Sequence, residues 1–191
     1  MRRTLLVLTL LCLARTTQAQ QFDPKYHFRV TTTEHFRIYF HEGEQPLAPR
    51  LAAIAEDIWR ALKATLGRRA PAMTDVILID QTDLSNGWAT PLPRTTVAIY
   101  AVWPAGSDTL KTDDWLRLVF THEFTHILHL DRSEGWARAV RALFGRTPIA
   151  FPNLYLPGWQ IEGLAVYEES AITGEGDRKS TRLNSSHVSE S

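Results

Sequence analysis

Cysteine is almost absent from this chain, with Cys12 as its single example. No disulfide framework can hold the fold, so stability must come from packing. An excess of charge of one sign is also missing. Lys and Arg together number 21, and Asp and Glu also number 21. That zero balance gives no electrostatic case for nucleic acid or an anionic membrane as partner. No sequence repeat recurs, so a repeat architecture is excluded for these 191 residues. The apolar run Leu5 to Ala14 is too short to span a bilayer, and no transmembrane span is expected in the mature chain.

What is present suits a globular domain. Hydrophobic residues make up 44% and charged residues 22%, a core-forming balance. The length fits one compact domain. Six tryptophans predict a substantial aromatic core or groove.

The two ends stand apart from that domain. Arg2 and Arg3 precede the apolar run, and Thr17-Gln18-Ala19 resembles a small-residue cleavage site. Residues 1–19 are therefore predicted to be a signal peptide, with export to the periplasm or the exterior. Cleavage removes Cys12. Leu11 stands where a lipid-attachment box needs a small residue.

The other end, Asp177 to Ser191, is polar and aperiodic. Its first eleven residues, DRKSTRLNSSH, match the translation of a common short-read sequencing adapter at every position. Residues 177–191 are expected to be adapter-derived and disordered. The domain is then 20–176, truncated at its C-terminal end, with the natural protein continuing past Gly176.

Between the ends, periodicity predicts an α+β fold. The N-terminal part is β-rich with one helix, and the following part is helical. Tyr26 to Phe40 reads as extended, with Phe36, Ile38 and Phe40 on one face. Leu51, Ile54, Ala55, Ile58, Leu62 and Leu66 recur at helical steps within Pro46 to Leu66, and Gly67 stops the run. Asp75 to Asp80 reads as a buried strand. Gln81 to Thr95 reads as a loop, with Asn86-Gly87-Trp88 as a turn, and Thr96 to Trp103 as a strand. A helix is predicted from Thr112, a plausible N-cap followed by Asp113 and Asp114, to about Leu130. A short helix covers Glu134 to Phe144, a proline-punctuated loop Thr147 to Pro157, and a last helix starts near Gly158.

The chemistry is concentrated in His122-Glu123-Phe124-Thr125-His126, an HExxH motif inside an apolar helix. Residues four apart lie one turn up on nearly one face, so both imidazoles can reach one Zn2+. Glu123 is offset from that face and suits a general base acting on water at the metal. Burying two imidazoles without partners would be costly, and coordination satisfies them. A catalytic zinc site takes three protein ligands and keeps one position open. The third candidate is Glu162, near the start of the last helix, where Gly163 would permit a close helix approach. His129 and Asp131 are alternatives closer to the motif. The helix continues without a glycine turn at that point, and His129 points away from the His122–His126 face.

HExxH followed downstream by Trp159, Glu162, Gly163, Ala165, Tyr167 and Glu169 resembles the gluzincin metallopeptidases, a zincin-like fold. The resemblance departs at Gln160 and Ile161, where the family pattern has leucine and asparagine. It implies His122, His126 and Glu162 as zinc ligands and Glu123 as catalytic base. It implies Glu169 as a carboxylate orienting a ligating histidine, and Asp131 is a further candidate for such a place. Gluzincins also use a Tyr or His on the oxyanion, which makes Tyr155 and Tyr167 candidates. In that superfamily an edge strand pairs with substrate, and Thr96 to Trp103 is the expected one.

THEFTHILHLD with PGWQIEGLAVYEE is similar to bacterial exported proteins in which this peptidase domain precedes a Tol-type β-propeller. The resemblance therefore implies a peptide or protein substrate and a propeller beyond Gly176. A catalytically silent scaffold domain is the alternative. Re-sequencing the locus tests the adapter reading: the natural frame should diverge from this one after Gly176, and a genuine stop codon after Ser191 would refute it.

Overall fold

A computed structural model describes residues 25–67, 70–80, 86–101 and 112–173. The predicted signal peptide with Cys12, the adapter-like tail, Val102, Trp103 and the side chains of the expected N-cap region at 112–114 lie outside what is described. The fold is mixed α+β, as the periodicity predicts. Its strands are β1 (Arg29–Thr32), β2 (Phe36–Phe40), β3 (Thr74–Ile79), β4 (Gly87–Thr90) and β5 (Thr96–Tyr100). Its helices are α1 (Leu47–Leu66), α2 (Thr112–Leu130), α3 (Trp136–Phe144) and α4 (Gly158–Thr173). The proline-rich stretch between α3 and α4 holds two 3-10 turns, Pro148–Ala150 and Pro152–Tyr155.

The strands form one sheet in the order β1-β2-β3-β5-β4. β2, β3 and β5 run parallel, and β1 and β4 flank them antiparallel. β3 sits between parallel neighbours and is buried along almost its whole length. β2 alternates buried and half-buried residues, as a strand with one covered face should.

Two sequence expectations need correction. The loop expected over Gln81 to Thr95 contains β4, with Gly87 paired to Ile99 and Trp88 to Ala98. Four residues are too few to show alternation, so pairing with β5 decides the conformation rather than local pattern. In consequence β5 is interior, and the edge strand on that side is β4.

One face of the sheet carries Phe36, Ile38, Phe40, Val76, Leu78, Val97 and Ile99 into a core shared with α1 and α2. α1 brings Leu51, Ile54, Ala55, Ile58 and Leu62, all buried. α2 is buried on nearly every side between Leu116 and Ile127, so it is the central helix of the domain. Phe36 meets Phe120 and Phe124 edge-on at centroid distances of 5.4 and 5.2 Å. The hydroxyls of Thr121 and Thr125 are buried too, and each donates back to a carbonyl four residues earlier, at 2.6 and 2.7 Å. Of the five tryptophans in the described residues, Trp115 is buried in the core and Trp59 packs against it. Trp59 and Trp88 are half-buried, and Trp136 and Trp159 are exposed.

The β1–β2 turn is fastened to α1 by Glu56. Its carboxylate accepts from Thr33 Oγ1 at 2.6 Å, the His35 backbone N–H at 2.9 Å and His35 Nδ1 at 2.8 Å. Burial alone would raise the Glu56 pKa, but these donors outweigh it and lower the value below 4.5. A depressed carboxyl contributes stability above its unfolded pKa and loses it as pH falls through the folded one. Glu56→Ala should therefore cost about 1–3 kcal/mol in chemical denaturation at pH 7. The gap to wild type should narrow as pH drops below 4.5.

Candidate metal centre

α2 presents His122 and His126 one turn apart, with rings 4.9 Å between centroids and nearly perpendicular. Both are buried, at 4% and 8% exposure. α4 packs against α2 through a stripe at Glu162, Ala165, Glu169 and Ile172, a spacing that keeps one helix face turned inward. The stripe brings Glu162 Oε2 to 3.3 Å from His122 Nε2 and 3.6 Å from His126 Nε2. The ligating atoms of these three residues all lie within 4.8 Å of one another.

The distances identify what suits the site. Oε2 of Glu162 is buried and has no hydrogen-bond partner. Three groups each about 2.0–2.1 Å from a shared tetrahedral ion stand about 3.3 Å from one another. The observed separations fit that arrangement better than two short hydrogen bonds. Chemically, two imidazole nitrogens and one carboxylate oxygen suit zinc or a neighbouring divalent transition ion.

Glu169 completes the histidine geometry. Its Oε2 lies 3.0 Å from His122 Nδ1, so Nδ1–H donates to it and Nε2 is left facing Glu162. Glu162 and Glu169 are seven residues apart, two turns along the same helix face. Burial works to lower the His122 pKa, but the carboxylates of Glu162 and Glu169 outweigh it and raise the value to about 9. The two imidazoles in turn hold the Glu162 carboxyl well below its ordinary range.

Glu123 is buried at 6% exposure beside this cluster. Burial pushes its carboxyl up, against the pull of His126 and His122. A raised carboxyl is a better proton acceptor than an ordinary one. The position of Glu123 depends on β4. On that strand the residues facing α2 are Gly87 and Ala89, opposite Ile99 and Val97. A Cβ placed on Gly87 would stand 2.8 Å from Glu123 Cγ, 3.1 Å from Glu123 Oε1 and 3.0 Å from the Ala98 carbonyl oxygen. Only glycine leaves room for Glu123 in this rotamer. Sequence reading takes Asn86-Gly87-Trp88 as a turn without function, because contact between β4 and α2 has no local signal.

The remaining candidates fall elsewhere. Asp131 belongs to another cluster: Arg141 binds its carboxylate at 3.1 Å and Arg146 at 2.6 Å. Arg146 also donates to the Pro91 carbonyl, so Asp131 ties the end of α2 to α3 and the β4–β5 connection. Its expected place behind a metal ligand is not where the structure puts it. His129 is half-buried outside the ligand group, and burial, then the charge of His126, lowers its pKa. Tyr155 and Tyr167 are both exposed, at 69% and 67%. Gly163 faces open space and mediates no close helix approach, contrary to expectation. Comparison with models of known protein families and with curated proteins finds no match.

A divalent cation must displace the proton on His122 to bind. Because that proton is held up to a pKa of about 9, zinc affinity should rise about tenfold per pH unit through neutrality and level off near pH 9. Competition titration with a zinc-sensitive dye at several pH values measures this, and a flat profile would contradict the His122 environment described.

Proposed function

We propose that this domain is a zinc-dependent peptidase of gluzincin type, acting on peptides or proteins outside the cytoplasm. The observation that carries the reading is the meeting of His122 Nε2, His126 Nε2 and Glu162 Oε2 next to a buried carboxylate that is not itself part of the ligand group. The fold is mixed α+β, and the zincin-like assignment rests on this constellation together with the sequence resemblance.

His122, His126 and Glu162 would hold the cation, with the His122 ring fixed by Glu169. The cation would supply a Lewis acid for the scissile carbonyl and for water. Glu123, pushed up by burial, would take the proton from the attacking water and return it to the leaving amine. Gly87 would keep Glu123 aimed at that water. Among the described residues β4 is the outermost strand on the side of Glu123, so an extended peptide could add to the sheet there. That role passes to β4 from β5, which is enclosed on both sides.

Among the described residues no helix is long and apolar enough to cross a membrane. Export remains part of the proposal, on the strength of residues 1–19.

Glu123→Gln keeps the shape and removes the base. It should retain about one zinc at this centre and lose about 10²–10⁴ in kcat on a peptide substrate. Cleavage at the wild-type rate would eliminate Glu123 as base. A wild-type chain that binds zinc and cleaves no member of a peptide library would point to the scaffold alternative. Gly87→Ala should also keep its zinc while kcat falls by about 10²-fold, because the new methyl displaces Glu123.

A further inference from the structure

A second group of ligand-type side chains lies away from the α2–α4 centre, at the ends of the two parallel strands β2 and β3. His41 follows β2, Glu44 precedes α1, and Asp80 follows β3. Their ligand atoms lie within 4.8 Å of one another. His41 and Glu44 are each only 2% exposed, His41 against the rings of Tyr26 and Phe28, whereas the Asp80 side chain is 40% exposed.

The hydrogen bonds of this group leave one atom unserved. His41 Nδ1 is 2.6 Å from the Glu42 carbonyl oxygen, which fixes it as the protonated nitrogen. One nitrogen, Nε2, then faces two carboxylates. It lies 2.7 Å from Asp80 Oδ1 and 3.7 Å from Glu44 Oε1. The other oxygen of Glu44 is held by the His41 backbone N–H at 2.9 Å. Oε1 is buried with no hydrogen-bond partner, although it points at the imidazole. A single N–H cannot satisfy both carboxylates, and a buried carboxylate oxygen without a donor is costly.

We propose that His41, Glu44 and Asp80 form a second zinc site, independent of the proposed peptidase centre. A cation among the three would take the Nε2 lone pair and one oxygen from each carboxylate, and so would serve the orphaned Glu44 oxygen. The 3.7 Å separation is close to the roughly 3.3 Å expected between neighbouring ligands of a tetrahedral zinc ion, and the 2.7 Å contact of Nε2 with Asp80 is a hydrogen bond that would open as the ion enters. A neutral imidazole and two carboxylates balance a divalent charge. Solvent reaches the site past Asp80. The ion would fasten the β2–α1 turn to the end of β3. By contrast the Glu34, His35 and Glu56 group offers no such opening, because both Glu56 oxygens are already engaged and Glu34 is exposed.

Zinc alone is the probe. The full chain is stripped with chelator, incubated with zinc, desalted, and its metal counted. Wild type should hold about two equivalents, and Asp80→Asn and His41→Ala about one each. In a His122→Ala/His126→Ala background about one equivalent should remain, and adding Asp80→Asn should abolish it. If that background fails to fold, the wild-type count against Asp80→Asn still decides, since Asp80 is partly exposed. A zinc count that neither Asp80→Asn nor His41→Ala lowers overturns the proposal. A wild-type count of one that Asp80→Asn takes to zero supports this site and removes the α2–α4 centre instead.

Discussion

Everything at the centre depends on how α4 lies against α2. One oxygen of Glu162 must stand between two imidazole nitrogens that the α2 backbone has already placed one turn apart. Neither helix can do this alone. α2 supplies fixed spacing, and α4 supplies both the third donor and the carboxylate behind His122. Packing of side chains far from the chemistry therefore determines a separation that coordination tolerates only within a few tenths of an ångström.

The rest of the fold holds α2 still. Phe120 and Phe124 lock it to β2, and the buried threonines close their hydroxyls on its own backbone. Its far end is fixed by the Asp131 cluster, through which Arg146 reaches the β4–β5 connection. β4 is thereby held from both directions, by pairing with β5 and by that arginine. The small residues Gly87 and Ala89 let it press close to the helix. The position of Glu123 is thus set by a strand distant from it in sequence.

Much of this was legible in the chain. The helical repeat of α1, the alternation in β2 and the fourfold step from His122 to His126 follow from geometry that any backbone imposes. Glu162 could be singled out because a catalytic zinc site takes a third donor and the Trp159 to Glu169 segment resembles the gluzincin helix that supplies one. Other features left no local trace. Gly87 reads as half of an Asn-Gly turn until a helix is packed over it. Asp131 looks like a neighbour of the candidate metal ligands, but Arg141 and Arg146 reach it through a turn of chain that no periodicity predicts. The aromatic core that the tryptophan count predicts is built mostly from phenylalanines among the described residues, because composition does not say which side of a helix a residue occupies.

α4 has one further property. Only Ala165 and Glu168 are fully buried along its sixteen residues, while Trp159, Val166 and Tyr167 face outward. Besides its contacts with α2, it is held by Thr65, which donates to Glu168 from the end of α1 at 3.0 Å. So little oil-like adhesion makes the helix a latch. If an ion sits between it and α2, the closing force belongs largely to that ion. Scavenging the metal would then release α4 before the sheet begins to melt, which would couple loss of the ion to local opening and expose the helix to proteolysis.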